Sequence, residues 1–160
     1  MNFNKALEMC KKTIEGNGTP CERLNAVCDI LKRQIPHYEW VGFYITIPGT
    51  RQLRLGPYVG EPTEHTTIPF GRGICGQAAE NKKTFVVQDV TEQTNYLSCS
   101  PMVRSEIVEP VFSGQQVIGE IDIDSHDVAP FTEDDSSFLG ALAKISSALV
   151  EKVQKTLDSK

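Results

Sequence analysis

The middle of the chain carries pairs of strand patterns that are joined by very short turns. Aromatic and β-branched residues over 40–47 are followed by the turn Pro48-Gly49-Thr50 and by a second strand pattern over 52–58. The segments 106–112 and 116–125 flank a similar turn at 113–115. Strands joined this closely must pair antiparallel, because a parallel pair needs a longer crossover connection. The order of strands therefore favours an antiparallel sheet over a doubly wound parallel one.

Helical patterns occupy both ends of the chain. A helix over 4–15 ends at Gly16-Asn17-Gly18, and the capping box Thr19-Pro20-Cys21-Glu22 opens a second helix with an apolar stripe to residue 35. A second capping box over 132–135 opens a long amphipathic helix to about residue 153. Shorter patterns predict strands at 66–70 and 84–87 and a helix at 74–81. We predict an α+β fold whose terminal helices cover one sheet face and leave the other free for a site.

The length and net charge of the chain limit the number of domains and the kinds of partner that we expect. The 160 residues suit one domain, which we place over 1–160. A formal net charge of −5 argues against nucleic acid or an anionic membrane as a partner, because both require a basic surface. The sequence has neither an apolar run long enough to span a bilayer nor a recognisable targeting signal, so we expect a cytoplasmic location.

Five cysteines without a secretory signal predict free thiols rather than a disulfide framework. Cys10 and Cys28 fall on apolar helical stripes and are expected in the core, whereas Cys21 lies in the first turn of its helix and is expected near the surface. Cys75 and Cys99 lie at loop junctions and are the candidates for chemistry. Cys75 is expected in the first turn of the helix at 74–81, where the helix dipole lowers the pKa of a thiol.

The segment Gly71-Arg72-Gly73-Ile74-Cys75-Gly76 matches the G-x-G-x-x-G pattern of dinucleotide-binding folds, and Asp89 lies near the distance expected of a ribose-binding acid. However, the strand before it is short and contains Pro69, and the helix after it has only about two turns. We therefore prefer a tight loop that leads into a helix N-terminus.

Asp122 and Asp124 alternate along a predicted strand and therefore share one face, and Glu106 could face them across the hairpin. Alternating acids are common on a solvated sheet face. If the three are instead brought together, their repulsion raises at least one pKa and leaves a proton donor at neutral pH. His126 continues the alternation and permits a metal site with the two aspartates, but the remaining ligands cannot be placed, so we expect no metal.

Five segments resemble, in order, the pattern of GAF domains and, within that superfamily, the free methionine-(R)-sulfoxide reductases. The matching segments are Trp40-Val41-Gly42-Phe43-Tyr44, Leu53-Arg54-Leu55-Gly56-Pro57-Tyr58, Ile68-Pro69-Phe70-Gly71-Arg72-Gly73-Ile74-Cys75-Gly76, Ser105-Glu106-Ile107-Val108 and Ile121-Asp122-Ile123-Asp124-Ser125. The resemblance implies a GAF-like α+β core over about 38–150. In this core, a six-stranded antiparallel sheet has the N- and C-terminal helices packed on one face. A homodimer through the terminal helices is also implied.

The resemblance also implies an activity, the thiol-dependent reduction of free L-methionine-(R)-sulfoxide. Cys99, seven residues before Glu106, would attack the sulfoxide sulfur and become a sulfenic acid. A second cysteine would then form a disulfide that a thioredoxin-type reductant reopens, with no bound cofactor. His65 stands at or near the position of the family's usual resolving cysteine, which leaves Cys75 for that role. The implied acids are Glu106, Asp122 and Asp124, and the implied substrate-binding residues are Trp40, Tyr44, His65 and Tyr96.

The alternative is a stand-alone GAF module that binds a small molecule, or senses one, without reducing it. Such a module needs the pocket but neither Cys99 nor a resolving thiol.

Overall fold

A computed structural model describes residues 2–96 and 100–157 of the chain. Within these ranges lies a six-stranded sheet in the order β3-β2-β1-β6-β5-β4, and every neighbouring pair is antiparallel. The strands are β1 (Trp40–Thr46), β2 (Gln52–Val59), β3 (Thr67–Pro69), β4 (Phe85–Val87), β5 (Ser105–Ser113) and β6 (Gln116–Ser125). The predicted fold class, an α+β GAF-like fold with a six-stranded antiparallel sheet, is confirmed.

Four α-helices and one 3₁₀ turn are found in the described ranges. They are α1 (Phe3–Glu15), α2 (Pro20–Gln34), α3 (Gly73–Asn81), α4 (Glu133–Gln154) and the 3₁₀ turn Val90–Glu92. Both predicted capping boxes are present: the hydroxyls of Thr19 and Thr132 accept backbone N–H bonds, and acids three residues later bond back. The 3₁₀ turn lies where the sequence predicts only a loop, and the carboxylate of Asp89 caps it.

The helices lie on both faces of the sheet. Helices α1, α2 and α4 pack on one face around a large apolar core, as predicted for the terminal helices. Helix α3 contacts β3, β4, β5 and β6 and belongs to a second, smaller apolar cluster with Trp40, Tyr44 and Ile68. The expectation of a free face is therefore wrong, since α3 covers part of it. No helix in the described ranges is long and apolar enough to cross a membrane.

A buried carboxylate fixes the start of α4 to the turn before β1. Oδ1 of Asp135 accepts a 2.8 Å hydrogen bond from the hydroxyl of Tyr38 and lies 2.8 Å from Nε2 of His37, while Oδ2 accepts the N–H of Thr132 at 2.9 Å. Burial acts to raise the pKa of Asp135, but these hydrogen bonds outweigh it and the pKa is lowered. We call Asp135, His37, Tyr38 and Thr132 the Asp135 cluster.

Candidate functional site

Strand register brings the predicted acids to one face of the sheet. On β6, Asp122 and Asp124 pair with Gly42 and Trp40 of β1, and Asp124 also pairs with Glu106 of β5. Residues that pair directly across antiparallel strands point to the same side. This is the face that α3 covers. Glu106, Asp122 and Asp124 are only 5%, 1% and 1% exposed, so the solvated-face interpretation is wrong.

Aromatic side chains form one wall of this region. The indole of Trp40 stacks on Tyr58 with ring centroids 5.3 Å apart, lies 6.5 Å from the ring of Tyr44, and donates from Nε1 to the carbonyl of Glu61 at 2.9 Å. A Cβ at Gly42 would lie 2.5 Å from the indole and 2.8 Å from Tyr58. The absence of a side chain at Gly42 therefore allows the indole to lie along the strand, beside Tyr44.

Cys75 lies in the first turn of α3, as predicted, and its thiol donates to Oε2 of Glu106 at 3.8 Å. The expected lowering of its pKa is wrong. Burial, followed by the charges of Asp122, Glu120 and Glu106, raises the pKa of this thiol well above its ordinary value. Desolvation and three nearby acids outweigh the dipole of a nine-residue helix.

Glu120 is a further acid of the site that the sequence analysis missed. Its side chain is fully buried, and neither carboxyl oxygen has a hydrogen-bond partner in the described residues by ordinary geometric criteria. Burial, and then the charge of Asp122, raises the pKa of Glu120 well above its usual range, while a weak contact with the Cys75 thiol acts in the opposite direction. The alternation that relates Asp122 to Asp124 extends back to Glu120 and could have revealed it.

We call Cys75, Glu106, Glu120 and Asp122 the thiol–acid cluster. Burial raises the pKa of Asp122, although hydrogen bonds with Glu106 and Cys75 act in the opposite direction. An ionised carboxylate has no donor, so two carboxyl groups can bond to each other only when one of them holds a proton. Repulsion between two buried charges likewise favours one proton on the pair of Glu106 and Asp122, beside the thiol of Cys75.

One cavity borders the cluster, and a second borders the neighbouring Trp40 and Asp124. The small cavity, lined by Tyr44, His65, Arg72 and the cluster residues Cys75, Glu106 and Asp122, holds only about 10 Å³, room for about one water molecule. A larger one of about 370 Å³ is lined by residues that include Trp40, Glu61, Ser100, Asp124 and His126.

The remaining predicted residues fall in different places. His65 lines the small cavity, and its carbonyl accepts a hydrogen bond from the hydroxyl of Tyr44 at 2.8 Å. Tyr96 packs, half-buried, against the smaller apolar cluster. His126 is exposed at the end of β6 and borders the larger cavity, whereas Asp122 borders the small one, so the structure does not bring His126, Asp122 and Asp124 together as a metal site. Cys99 lies outside the described residues, and with it the separation of Cys75 and Cys99.

Asn95 is a second residue that the sequence analysis missed. Its Oδ1 accepts the N–H of Gly73 at 2.8 Å, and its Nδ2 donates to the carbonyl of Gly71 at 2.9 Å. Gly71 and Gly73 have positive φ, 89° and 66° respectively, which favours glycine at these positions. The glycine motif is thus the tight loop we preferred, and its antiparallel setting is unlike a dinucleotide-binding fold. No periodic pattern in the sequence marks Asn95.

Comparisons with known proteins agree with this geometry. The sequence pattern of the GAF domain matches residues 19–151. A free methionine-R-sulfoxide reductase of Saccharomyces cerevisiae is 40% identical over 156 residues, which cover 90% of this chain and 86% of that protein. GAF domain-containing protein A of Dictyostelium discoideum is 33% identical over 89% of each chain. The X-ray structure of a free methionine-R-sulfoxide reductase from Neisseria meningitidis, in complex with its substrate, superposes with a TM-score of 0.88. It is 35% identical and covers 97% of this chain and 92% of that one.

Proposed function

Since the chain belongs to the GAF domain family and, within it, to the free methionine-R-sulfoxide reductases, we propose that it reduces free L-methionine-(R)-sulfoxide to methionine. With this activity the chain would be a thiol-dependent oxidoreductase. The observation that carries the proposal is the buried thiol–acid cluster beside the aromatic wall of Trp40 and Tyr44. A thiol, a carboxyl proton and an apolar surface are what reduction of an alkyl sulfoxide requires.

In the first step the thiolate of Cys99 attacks the sulfoxide sulfur, the sulfur–oxygen bond of the substrate breaks, and the oxygen passes to Cys99 with a proton from a carboxyl group. The products are methionine and a Cys99 sulfenic acid, so methionine gains the two electrons that Cys99 loses. Two described residues near Cys99 in the sequence support this role for it. Tyr96 packs against the same apolar cluster as Cys75, and Ser100 lines the larger cavity with Trp40 and Asp124.

The acids act on the substrate at both ends. The proton held by Glu106 and Asp122 is available to the sulfoxide oxygen, whose basicity grows as the sulfur is attacked. Asp124 lines the larger cavity, and its carboxyl group would bind the amino group of a free amino acid there. The face of Trp40 favours a methyl-bearing sulfur that gains positive character.

In the second step the thiol of Cys75 attacks the Cys99 sulfenic acid. A Cys75–Cys99 bond forms and the sulfur–oxygen bond of the sulfenic acid breaks. The carboxylate of Glu106 accepts the thiol proton over the existing 3.8 Å contact and passes it to the departing hydroxyl, which leaves as water. A proton acceptor is necessary here, because burial raises the pKa of the Cys75 thiol. We propose that a thioredoxin-type dithiol then reopens the disulfide, so that no resident cofactor is needed.

The small cavity cannot hold an amino acid, whereas the cavity of about 370 Å³ has room for one. We therefore propose that substrate enters past Trp40, Glu61 and Asp124 and reaches the acids from that side. We further propose a homodimer through the terminal helices and a cytoplasmic location, where reduced thioredoxin-type proteins keep the thiols active.

A thioredoxin-coupled assay with separate R and S epimers of free methionine sulfoxide tests the function. We expect turnover of the R epimer only, and none in Cys99→Ser. Cys21→Ser, which removes an exposed thiol, is the matched control and should react like the parent. Absence of R-selective turnover, combined with saturable binding of a small molecule, would instead identify a sensory or ligand-binding module.

A further inference from the structure

The thiol–acid cluster presents the kinds of atom that bind divalent cations. The sulfur of Cys75 and one carboxylate oxygen each of Glu106 and Asp122 lie within 4.8 Å of one another, and all three residues are buried. Zinc binds sulfur at about 2.3 Å and carboxylate oxygen at about 2.0–2.2 Å, which sets its ligand atoms roughly 3.5–4 Å apart. The three atoms thus lie near the spacing that one ion requires.

Unpartnered carboxyl oxygens point independently to a ligand at this position. Both oxygens of Glu120 and Oδ1 of Asp122 are buried, and within the described residues none accepts a hydrogen bond of ordinary length and angle. Glu120 and Asp122 make only weak contacts with the thiol of Cys75, whose single proton is directed to Glu106. A buried carboxyl oxygen without a partner is costly, and coordination of a cation is one way to satisfy it.

The charges around Cys75 also favour a cation. Asp122, Glu120 and Glu106 are the neighbours whose charges act on its thiol, and all three are acidic. A bound divalent ion reverses the effect of such neighbours, because it stabilises carboxylates and deprotonates a coordinating thiol. The sulfur ligand favours zinc over magnesium or calcium, which prefer oxygen ligands.

We propose that Cys75, Glu106 and Asp122 bind one zinc-type divalent cation, and that the bound ion holds the resolving thiol and stops turnover. Three protein ligands leave a fourth tetrahedral position for water, and the adjoining cavity has room for about one water molecule. The binding site stands on the geometry alone, whereas the block of turnover rests on the proposed function.

The test is a titration of the fully reduced chain with Zn²⁺ in competition with a chromophoric chelator, and with Co²⁺, whose thiolate charge-transfer absorption reports a sulfur ligand. We expect one ion per chain in the parent and loss of both signals in Cys75→Ser. Cys28→Ser, which alters a buried thiol of the other core, and Cys21→Ser, which alters an exposed one, should bind like the parent.

Variants of the acids keep the inference testable if Cys75→Ser fails to fold. Asp122→Asn should abolish Zn²⁺ binding, and Glu120→Gln should weaken it by about 10-fold, as is usual for residues next to the ligands. Unchanged affinity in Cys75→Ser or Asp122→Asn, or loss of binding in Cys21→Ser, would overturn the assigned site.

Measurements of turnover distinguish a failure of the zinc proposal from a failure of the proposed reductase function. We expect Zn²⁺ to inhibit reduction of the R sulfoxide and a chelator to restore it. Zinc binding without inhibition would overturn the regulatory part alone. Zinc binding by a chain that never reduces the sulfoxide would contradict the proposed function and leave the metal site standing.

Discussion

Asp122 and Asp135 are equally buried carboxyl groups in different parts of the molecule, each 1% exposed. Asp135 accepts hydrogen bonds from Tyr38 and Thr132 and lies against His37, and its pKa is lowered. Asp122 lies among other acids, and burial raises its pKa. Equal burial is therefore accompanied by opposite pKa shifts. At Asp135 the hydrogen-bond donors outweigh burial and make the residue a structural anion. At Asp122 burial outweighs the hydrogen bonds with Glu106 and Cys75, which favours the protonated carboxyl group.

The largest expected effect separates the two residues by function. Asp122→Asn should lower turnover of the R sulfoxide by about 10²-fold or more, because a positioned acid contributes roughly that much, while the unfolding midpoint changes little. Asp135→Asn should instead cost about 2–3 kcal/mol of stability, since it weakens hydrogen bonds to a charged group. Coupled assays and urea unfolding of both variants check this, and a loss of activity per folded molecule in Asp135→Asn would break the comparison.

The pH dependence of stability is a second test of the difference between Asp135 and Asp122. A carboxylate whose folded pKa is lowered contributes stability that is fully present above its unfolded pKa of about 3.9 and is lost as the pH falls through the folded value. The stability gap between the parent and Asp135→Asn should therefore be constant near neutrality and shrink in acid. Urea unfolding of both proteins between about pH 7 and pH 2 measures the gap. A gap that widens in acid would show that Asp135 is not the anion described.

A smaller change in stability is expected at the buried thiol of Cys28. Cys28 is buried in the large core, with its sulfur 3.7 Å from the carbonyl of Pro57, and burial raises the pKa of its thiol. Cys28→Ala should cost about 1 kcal/mol through the cavity it leaves, with turnover unchanged, whereas Cys75→Ala should stop turnover with reduced thioredoxin. Thermal melting and the coupled assay distinguish them. Comparable activity losses in both would place Cys28 in the site.

The smallest effect concerns the glycine loop. Asn95→Ala removes two hydrogen bonds to the loop, each worth about 1 kcal/mol, and should lower turnover severalfold by loosening the N-terminus of α3. Asn81→Ala, which removes an exposed amide at the other end of the same helix, is the matched control and should leave turnover unchanged. Equal activities in the two variants would show that Asn95 does not position the site.

Local signals in the sequence predicted most of the fold. Thr19 and Thr132 mark the starts of two helices, since their capping boxes act within four residues, and the short turns determine the antiparallel pairing. The position of α3 was missed, because its packing on the acidic face depends on contacts with distant strands. The 3₁₀ turn was missed for a different reason, since it has no periodic apolar pattern.

Features of the candidate site that follow from local sequence patterns were predicted, whereas those that depend on contacts in the folded chain were not. Strand alternation and hairpin pairing correctly predicted that Glu106, Asp122 and Asp124 share a face. The pKa of Cys75 was predicted in the wrong direction, because the dipole of its helix is a local property, whereas its burial and acidic neighbours arise only in the folded chain. Asn95 could not be predicted, since its role consists of hydrogen bonds to residues more than twenty positions away.

A single turnover without reductant tests the central claim most directly. Reduced protein is mixed with an excess of free methionine-(R)-sulfoxide, the methionine formed is quantified, and the cysteine pairing is determined by peptide mapping under non-reducing conditions. We predict one methionine per chain, a Cys75–Cys99 disulfide and no reaction with the S epimer. Absence of methionine, or formation of methionine without a bond between Cys75 and Cys99, would contradict the account.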